Sequence, residues 1–104
     1  MNFNRFSQLV DNNPSLKSKL FNLEELTLNL RQLAGNFAVK EAFYKALEDQ
    51  QLFSYHDCSI SRDAITQRPI ISLSGLLKNS LIDRKIHISI TNEDMWIIAC
   101  VVIL

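Results

Sequence analysis

Apolar residues in the first half of the chain recur at helical spacing, and those in the second half alternate. The longest periodic stretch is Arg31–Leu47, RQLAGNFAVKEAFYKAL. On a helix, Ala34, Ala38, Ala42 and Ala46 fall on one face as a ridge of methyl groups. Val39, Phe43 and Leu47 make a second apolar row, and Leu33 and Phe37 a third. So thin a ridge predicts close approach to a sheet or another helix. Upstream, Phe3, Phe6, Leu9 and Val10 predict a short amphipathic helix over Asn4–Asp11, stopped by Asp11-Asn12-Asn13-Pro14. Ser15–Leu20 reads as a second helical piece. Asn22 and Glu25 have the spacing of a capping box, and helical pattern continues from Leu23 to about Glu48 with a break expected near Leu30. Gly35 inside it costs about 1 kcal/mol against alanine, for which close packing is the expected reason.

After Asp49 the period changes. Ser59–Ser61 and Ile70–Leu73 read as short strands joined by a polar turn that ends at Arg68-Pro69. Ser74 is placed to cap a helix from Gly75 to about Ile82, with Leu76, Leu77 and Leu81 facing inward. Ile86, Ile88 and Ile90 alternate with His87, Ser89 and Thr91, the pattern of a strand with one buried face. Asn92-Glu93-Asp94 is the expected turn. Met95–Ile103 then returns apolar on both faces, which predicts a central strand or one covered at a subunit interface. The architecture expected is α+β in a single domain over residues 1–104: helices first, then a small antiparallel sheet with one inserted helix.

Composition narrows the function more than it changes this fold. The 104 residues suffice for one core, and 47% are hydrophobic. Eleven basic against eleven acidic side chains leave no global field, which argues against nucleic acid as a partner. Cys58 and Cys100 have neither metal-site spacing nor a secreted framework and read as two buried or half-buried thiols in a reducing cytosol. The apolar run Met95–Leu104 is shorter than the ~20 residues a bilayer span needs, and MNFNRFSQLV lacks a secretory pattern. A soluble, cytoplasmic protein without membrane contact is expected.

The candidate chemistry lies on the polar strip of the long helix. Glu41 and Lys45 are one turn apart, flanked by Lys40 and Tyr44. Such a strip is either a solvated face with an ordinary ion pair, or a carboxylate for a hard cation beside an ammonium aimed at phosphate. Spacing alone does not separate the two.

LAGNFAVKEAFYKAL resembles the signature helix of the holo-acyl-carrier-protein synthases, the small bacterial 4′-phosphopantetheinyl transferases, which reads approximately LAGRFAAKEAxxKAL. Asn4-Arg5-Phe6 and Phe21-Asn22-Leu23-Glu24-Glu25-Leu26 are similar to the family's early RF and F-T-x-x-E-L elements. Arg68-Pro69 falls where the family has a GKP turn. Ile88-Ser89-Ile90-Thr91-Asn92 resembles its SISH strand, and Ala99–Leu104 its closing AVAVVIL strand. The pieces keep the family's order across nearly the whole chain.

The resemblance implies a phosphopantetheinyl transferase-like fold and Mg²⁺-dependent transfer of 4′-phosphopantetheine from coenzyme A to a serine of apo acyl carrier protein, in fatty acid biosynthesis. It implies Glu41 as metal ligand and catalytic residue, and Lys45 as the catalytic lysine on the phosphates. Asn36, Pro69, Ser89 and Asn92, with Lys45, fall at coenzyme A-binding positions. Arg5, Lys17 and Lys19 would meet the acidic carrier protein. The family is usually a homotrimer with its cleft between subunits.

Three departures stand against the pattern. Counting back from Arg5, the aspartate of the family's GIGxD strand falls just before Met1, so that metal-binding strand is expected to be missing. Asn36 replaces the arginine of AGRFA, and Asn92 stands where SISH has histidine, which asparagine cannot replace as a base. His56 beside Asp57 reads as a surface pair, and His87 as outward-facing. The alternatives to an active transferase are an inactive relic or carrier-binding module that keeps the fold, and a structural oligomer subunit.

Overall fold

The computed structural model describes all residues from Met1 to Leu104. Four helices and four strands follow one another as α1 (Phe3–Asn12), α2 (Leu16–Leu20), α3 (Leu30–Ala46), β1 (Cys58–Arg62), β2 (Pro69–Leu73), α4 (Gly75–Ser80), β3 (Ile86–Glu93) and β4 (Trp96–Ile103). The α+β reading holds, with element ends displaced by local chemistry. Asn2 caps α1 by accepting from the backbone N–H groups of Asn4 and Arg5. The long helical stretch is broken where expected, but the capping box that starts α3 is Asn29 with Gln32. Glu25 does accept from the Asn22 N–H at 3.1 Å, yet that bond opens only a single 3₁₀ turn over Glu25–Thr27. Asn92 and Glu93 lie on β3, not in the turn, which falls at Asp94 and Met95. Asp94 there takes a φ of 50°, and Arg31 ties the turn to α3 by donating to its carbonyl at 2.8 Å.

The antiparallel structure is two hairpins and not one sheet. β1 pairs β2 from Cys58↔Leu73 to Arg62↔Pro69, and β3 pairs β4 from Ile86↔Ile103 to Glu93↔Trp96. No hydrogen-bond ladder joins β2 to β3. The start of the chain adds to the second hairpin. Met1 exchanges both backbone hydrogen bonds with Ile97, and Phe3 N–H donates to the Met95 carbonyl. Residues 1–3 therefore run antiparallel along the β4 edge that faces away from β3.

α3 serves two cores. Leu33, Ala34 and Ala38 join Phe6, Val10, Leu20, Phe21 and Ile97, whereas Val39, Phe43 and Leu47 join Cys58, Ile60 and Leu77. The alanine ridge is buried only at its start. Ala34 and Ala38 are covered, Ala42 is half-buried and Ala46 is exposed. Gly35 is not explained by close packing, because a Cβ there would meet Ile90 at an ordinary 3.8 Å. In α4, Leu77 is buried and Leu76 is exposed, against the inward position expected of it. Ser74 takes the N-cap position of that helix, but its hydroxyl makes no capping bond and donates to Asp57 instead, while Gly75, at φ 61°, lies where any Cβ would strike the Asp57 carboxylate. No helix is long and apolar enough to cross a membrane.

Side chains alternate along the second hairpin. Ile97, Ala99, Val101 and Ile103 turn toward α3 and the cores. Trp96, Ile98, Cys100 and Val102 turn outward beside His87, Ser89 and Thr91. Trp96 is 55% exposed and Ile98 59%. The doubly apolar strand has β3 on one edge and, over Met95–Ile97, residues 1–3 on the other, yet its outer face is an uncovered apolar strip.

Candidate functional site

Three turns of α3 carry the candidate chemistry, and its two polar faces have different fates. Leu33, Asn36, Lys40, Phe43 and Leu47 succeed one another at spacings of three and four, a buried stripe with two polar residues in its middle. Lys40 is wholly buried, and its Nζ donates to Glu25 Oε1 at 2.7 Å, to the Leu20 carbonyl at 2.7 Å and to the Tyr55 carbonyl at 3.1 Å. The other Glu25 oxygen accepts from Asn36 Nδ2 at 2.9 Å and from the Ile60 N–H at 3.4 Å. Asn36 also donates to the Ile60 carbonyl at 3.0 Å. Every buried side-chain polar atom of this cluster has a partner. It locks α2, α3, β1 and the 3₁₀ turn Tyr55–Asp57 together around one carboxylate and one ammonium. Lys40 therefore does not belong to a solvated strip. The signal in the sequence that places it inside is the spacing of the stripe.

The other face carries Glu41 and Lys45. They form no ion pair with each other, since the Glu25–Lys40 bridge is the chain's only salt bridge. Both line a groove of about 460 Å³ between α3 and β4, with Met1, Phe37, Ala38, Ala42, Ile97, Ile98 and Ala99 as the other walls. Glu41 is half-buried and accepts a hydrogen bond from the Tyr55 hydroxyl. Burial, then the Glu41 contact, pushes the Tyr55 phenol well above the ordinary tyrosine range, so it remains a donor at neutral pH.

Glu41 is the one carboxylate on this groove, and no group of three or more His, Cys, Asp or Glu side chains is placed to hold a metal. That donor set suits Mg²⁺, which takes one or two protein carboxylates and completes its shell with water and phosphate oxygens. It does not make a closed cage.

The remaining expected site residues fall elsewhere on the single chain. Pro69 and Ser89 line a groove of about 700 Å³ where the two hairpins meet, together with Arg62, Arg68 and His87. Nothing in the sequence pattern places the guanidinium groups of Arg62 and Arg68 on one groove, beyond the turn that ends at Arg68-Pro69. Asn92 is exposed further along β3. Asn36, at the foot of a third groove, has its amide hydrogens committed to Glu25 and Ile60. Coenzyme A would have to displace one of those bonds to use it as a donor. Arg5 on α1 and Lys17 and Lys19 on α2 are exposed. His56 and Asp57 do not pair: His56 Nε2 lies 2.6 Å from the Ser18 carbonyl, and Asp57 accepts from Ser74.

Comparison with known proteins bears on the whole of this arrangement. No protein-family model matches the chain. A holo-[acyl-carrier-protein] synthase of Micrococcus luteus is 37% identical over 75 residues, 71% of this chain and 60% of that protein. The chain thus spans less than two thirds of that relative's length. The corresponding synthase of Clostridium perfringens is 33% identical over 91% of this chain and 81% of its own length, and that of Cutibacterium acnes 31% over 94% and 86%. The crystal structure of Helicobacter pylori holo-[acyl-carrier-protein] synthase in complex with coenzyme A superposes with a TM-score of 0.85 at 25% identity, covering 100% of this chain and 95% of that one. With relatives of more than 30% identity matched over most of their length and the fold matched over the whole chain, the chain belongs to the holo-acyl-carrier-protein synthases, a family of 4′-phosphopantetheinyl transferases.

Proposed function

We propose that this protein transfers 4′-phosphopantetheine from coenzyme A to a serine of apo acyl carrier protein, as a cytoplasmic, Mg²⁺-dependent step serving fatty acid biosynthesis. The observation that carries the reading is the placement of Glu41 and Lys45 on one groove with no ion pair between them. A carboxylate and an ammonium free of each other remain available for a cation and for phosphate. In the reaction, the serine oxygen bonds to the β-phosphorus of coenzyme A. The phosphorus–oxygen bond to adenosine 3′,5′-bisphosphate breaks, that group leaves, and the serine proton passes to water. Lys45 holds the phosphate oxygens and stabilises charge as it develops on them. Glu41 is the residue that would hold Mg²⁺, which when bound supplies charge compensation at the phosphates. Pro69, Ser89, Asn92 and the guanidinium groups of Arg62 and Arg68 would bind coenzyme A. Arg5, Lys17 and Lys19 would dock the acidic carrier protein.

A homotrimer with a shared site explains why these residues lie on separate grooves of one chain. The uncovered outer strip of the β3–β4 hairpin borders both: Ser89 of β3 lines the coenzyme A groove and Ile98 of β4 lines the groove of Glu41. A second copy seated on that strip would bury Trp96, Ile98 and Val102 and bring one chain's KEA helix beside another's SISH-like strand.

Intact-mass analysis of apo acyl carrier protein incubated with the protein, coenzyme A and Mg²⁺ tests the reading. A gain of one phosphopantetheine, abolished by chelator and by Glu41→Gln, is expected. No gain, restored by joining a GIGxD strand ahead of Met1, would show that the second carboxylate is required. No gain in either form would leave the carrier-binding relic as the function.

A further inference from the structure

The Glu41 carboxylate is held by a residue that does not line its groove. The Tyr55 hydroxyl donates to Glu41 Oε1, and no other side chain bonds that carboxylate. Tyr55 does not line the groove of Glu41 and Lys45. Its ring is itself fixed: it stacks on Phe37 with centroids 6.4 Å apart and meets Phe53 edge-on at 4.9 Å. Its carbonyl accepts from the buried Lys40 ammonium at 3.1 Å, and its neighbour His56 is tied to α2 through the Ser18 carbonyl. The aromatic packing needs only a phenyl ring. The hydroxyl has a single protein partner, and that partner is the proposed metal ligand.

We propose that Tyr55 is a positioning residue whose hydroxyl fixes one oxygen of Glu41 and leaves the other for a divalent cation bound to coenzyme A phosphate. The inference rests on the reading of Glu41 as a metal ligand. It gives the buried Lys40 a task beyond stability, because the ammonium anchors the backbone from which the phenol reaches Glu41. The phenol engages one Glu41 oxygen where no Glu41–Lys45 ion pair forms. Groups that hold a metal-binding side chain typically change affinity or activity by about 10–100-fold when removed.

The test compares wild type, Tyr55→Phe, Tyr55→Leu and Glu41→Gln, with Mn²⁺ as the probe and its binding in the presence of coenzyme A read by electron paramagnetic resonance. Tyr55→Phe, which keeps the ring, is expected to weaken Mn²⁺ binding at least about tenfold and to raise the Mg²⁺ needed for half-maximal transfer to match, with KM for coenzyme A changed less than about twofold. In protein carrying ¹³Cζ-tyrosine, Glu41→Gln is expected to move the Tyr55 resonance in metal-free buffer. Wild-type Mn²⁺ affinity in Tyr55→Phe, with loss confined to Tyr55→Leu, would reduce Tyr55 to a packing residue and overturn the proposal. An unmoved Tyr55 resonance would overturn it through the contact itself. If Glu41→Gln loses Mn²⁺ while Tyr55→Phe does not, the proposal falls alone. If wild type neither binds Mn²⁺ nor transfers, the metal reading of Glu41 falls and takes the proposal with it.

Discussion

Replacing Lys40 by methionine removes one ammonium from the chain and almost no volume. The side chain is 0% exposed and its Glu25 partner 2%, so water cannot stand in for what is lost. The substitution strips a donor from the Leu20 carbonyl, the Tyr55 carbonyl and Glu25 Oε1 at once. It also leaves a buried carboxylate facing only neutral donors: the N–H groups of Asn22 and Ile60 and the Asn36 amide. Breaking one side of a buried ion pair typically costs about 3–5 kcal/mol. A domain of this size has only about 5–15 kcal/mol of stability in total. At about 4–8 °C per kcal/mol, Tm should fall by at least about 12 °C. Urea melts of wild type, Lys40→Met, Glu25→Gln and the double variant close a double-mutant cycle. The double variant should lose clearly less than the sum of the singles, because it no longer buries an uncompensated charge. A Lys40→Met penalty under about 1 kcal/mol, or strict additivity around the cycle, would refute the assignment of the cluster as a coupled charge pair.

Three further outcomes are expected. Gly35→Ala should stabilise the protein by about 0.5–1 kcal/mol in the same melts, because α3 gains helix propensity and the nearest side-chain atom stands 3.8 Å from the new methyl; destabilisation would mean Ile90 cannot tolerate it. Burial pushes the Cys58 thiol up to about 12, so Ellman titration should find it slow in the native protein and fast after denaturation; Cys100, exposed on the outer strip of one chain, should react fast when the chains are dissociated by dilution and be shielded where a second copy covers that strip, a signal lost in Cys100→Ser. The Asp63 carboxyl is held below the ordinary carboxylate range by the N–H groups of Thr66 and Ile65, so it contributes stability above its unfolded value that is lost as pH falls through its folded one. Acid unfolding of Asp63→Ala should accordingly show a shallower pH dependence at the low end.

Much of the fold is legible in the sequence because it rests on local rules. The periodicity around Phe6 and Val10, the break before α3 and the alternation of Ile86, Ile88 and Ile90 each report a face that must be buried. What sequence order does not supply is which polar groups go in with it. Lys40 beside Glu41 in KEA looks like one charged strip, yet they sit about 100° apart on the helix, and only the packing of α2 and β1 decides which is enclosed. The Asn22–Glu25 pair signals a cap, and one of the two bonds exists, but its carboxylate is chiefly the partner of Lys40. For the site, the KEA resemblance locates Glu41 and Lys45. Tyr55 carries no such mark, because its hydroxyl meets Glu41 only after the chain has turned back past the end of α3.

The seam between the two hairpins has a consequence for motion. Hydrogen-bonded ladders open cooperatively, whereas a boundary held by side chains alone can part without breaking any ladder. The groove of Pro69 and Ser89 lies on that boundary, with walls from both hairpins. It can widen and close again while each hairpin keeps its register. Amide exchange should therefore divide the strands into two units of different protection, one for β1 and β2 and one for β3 and β4.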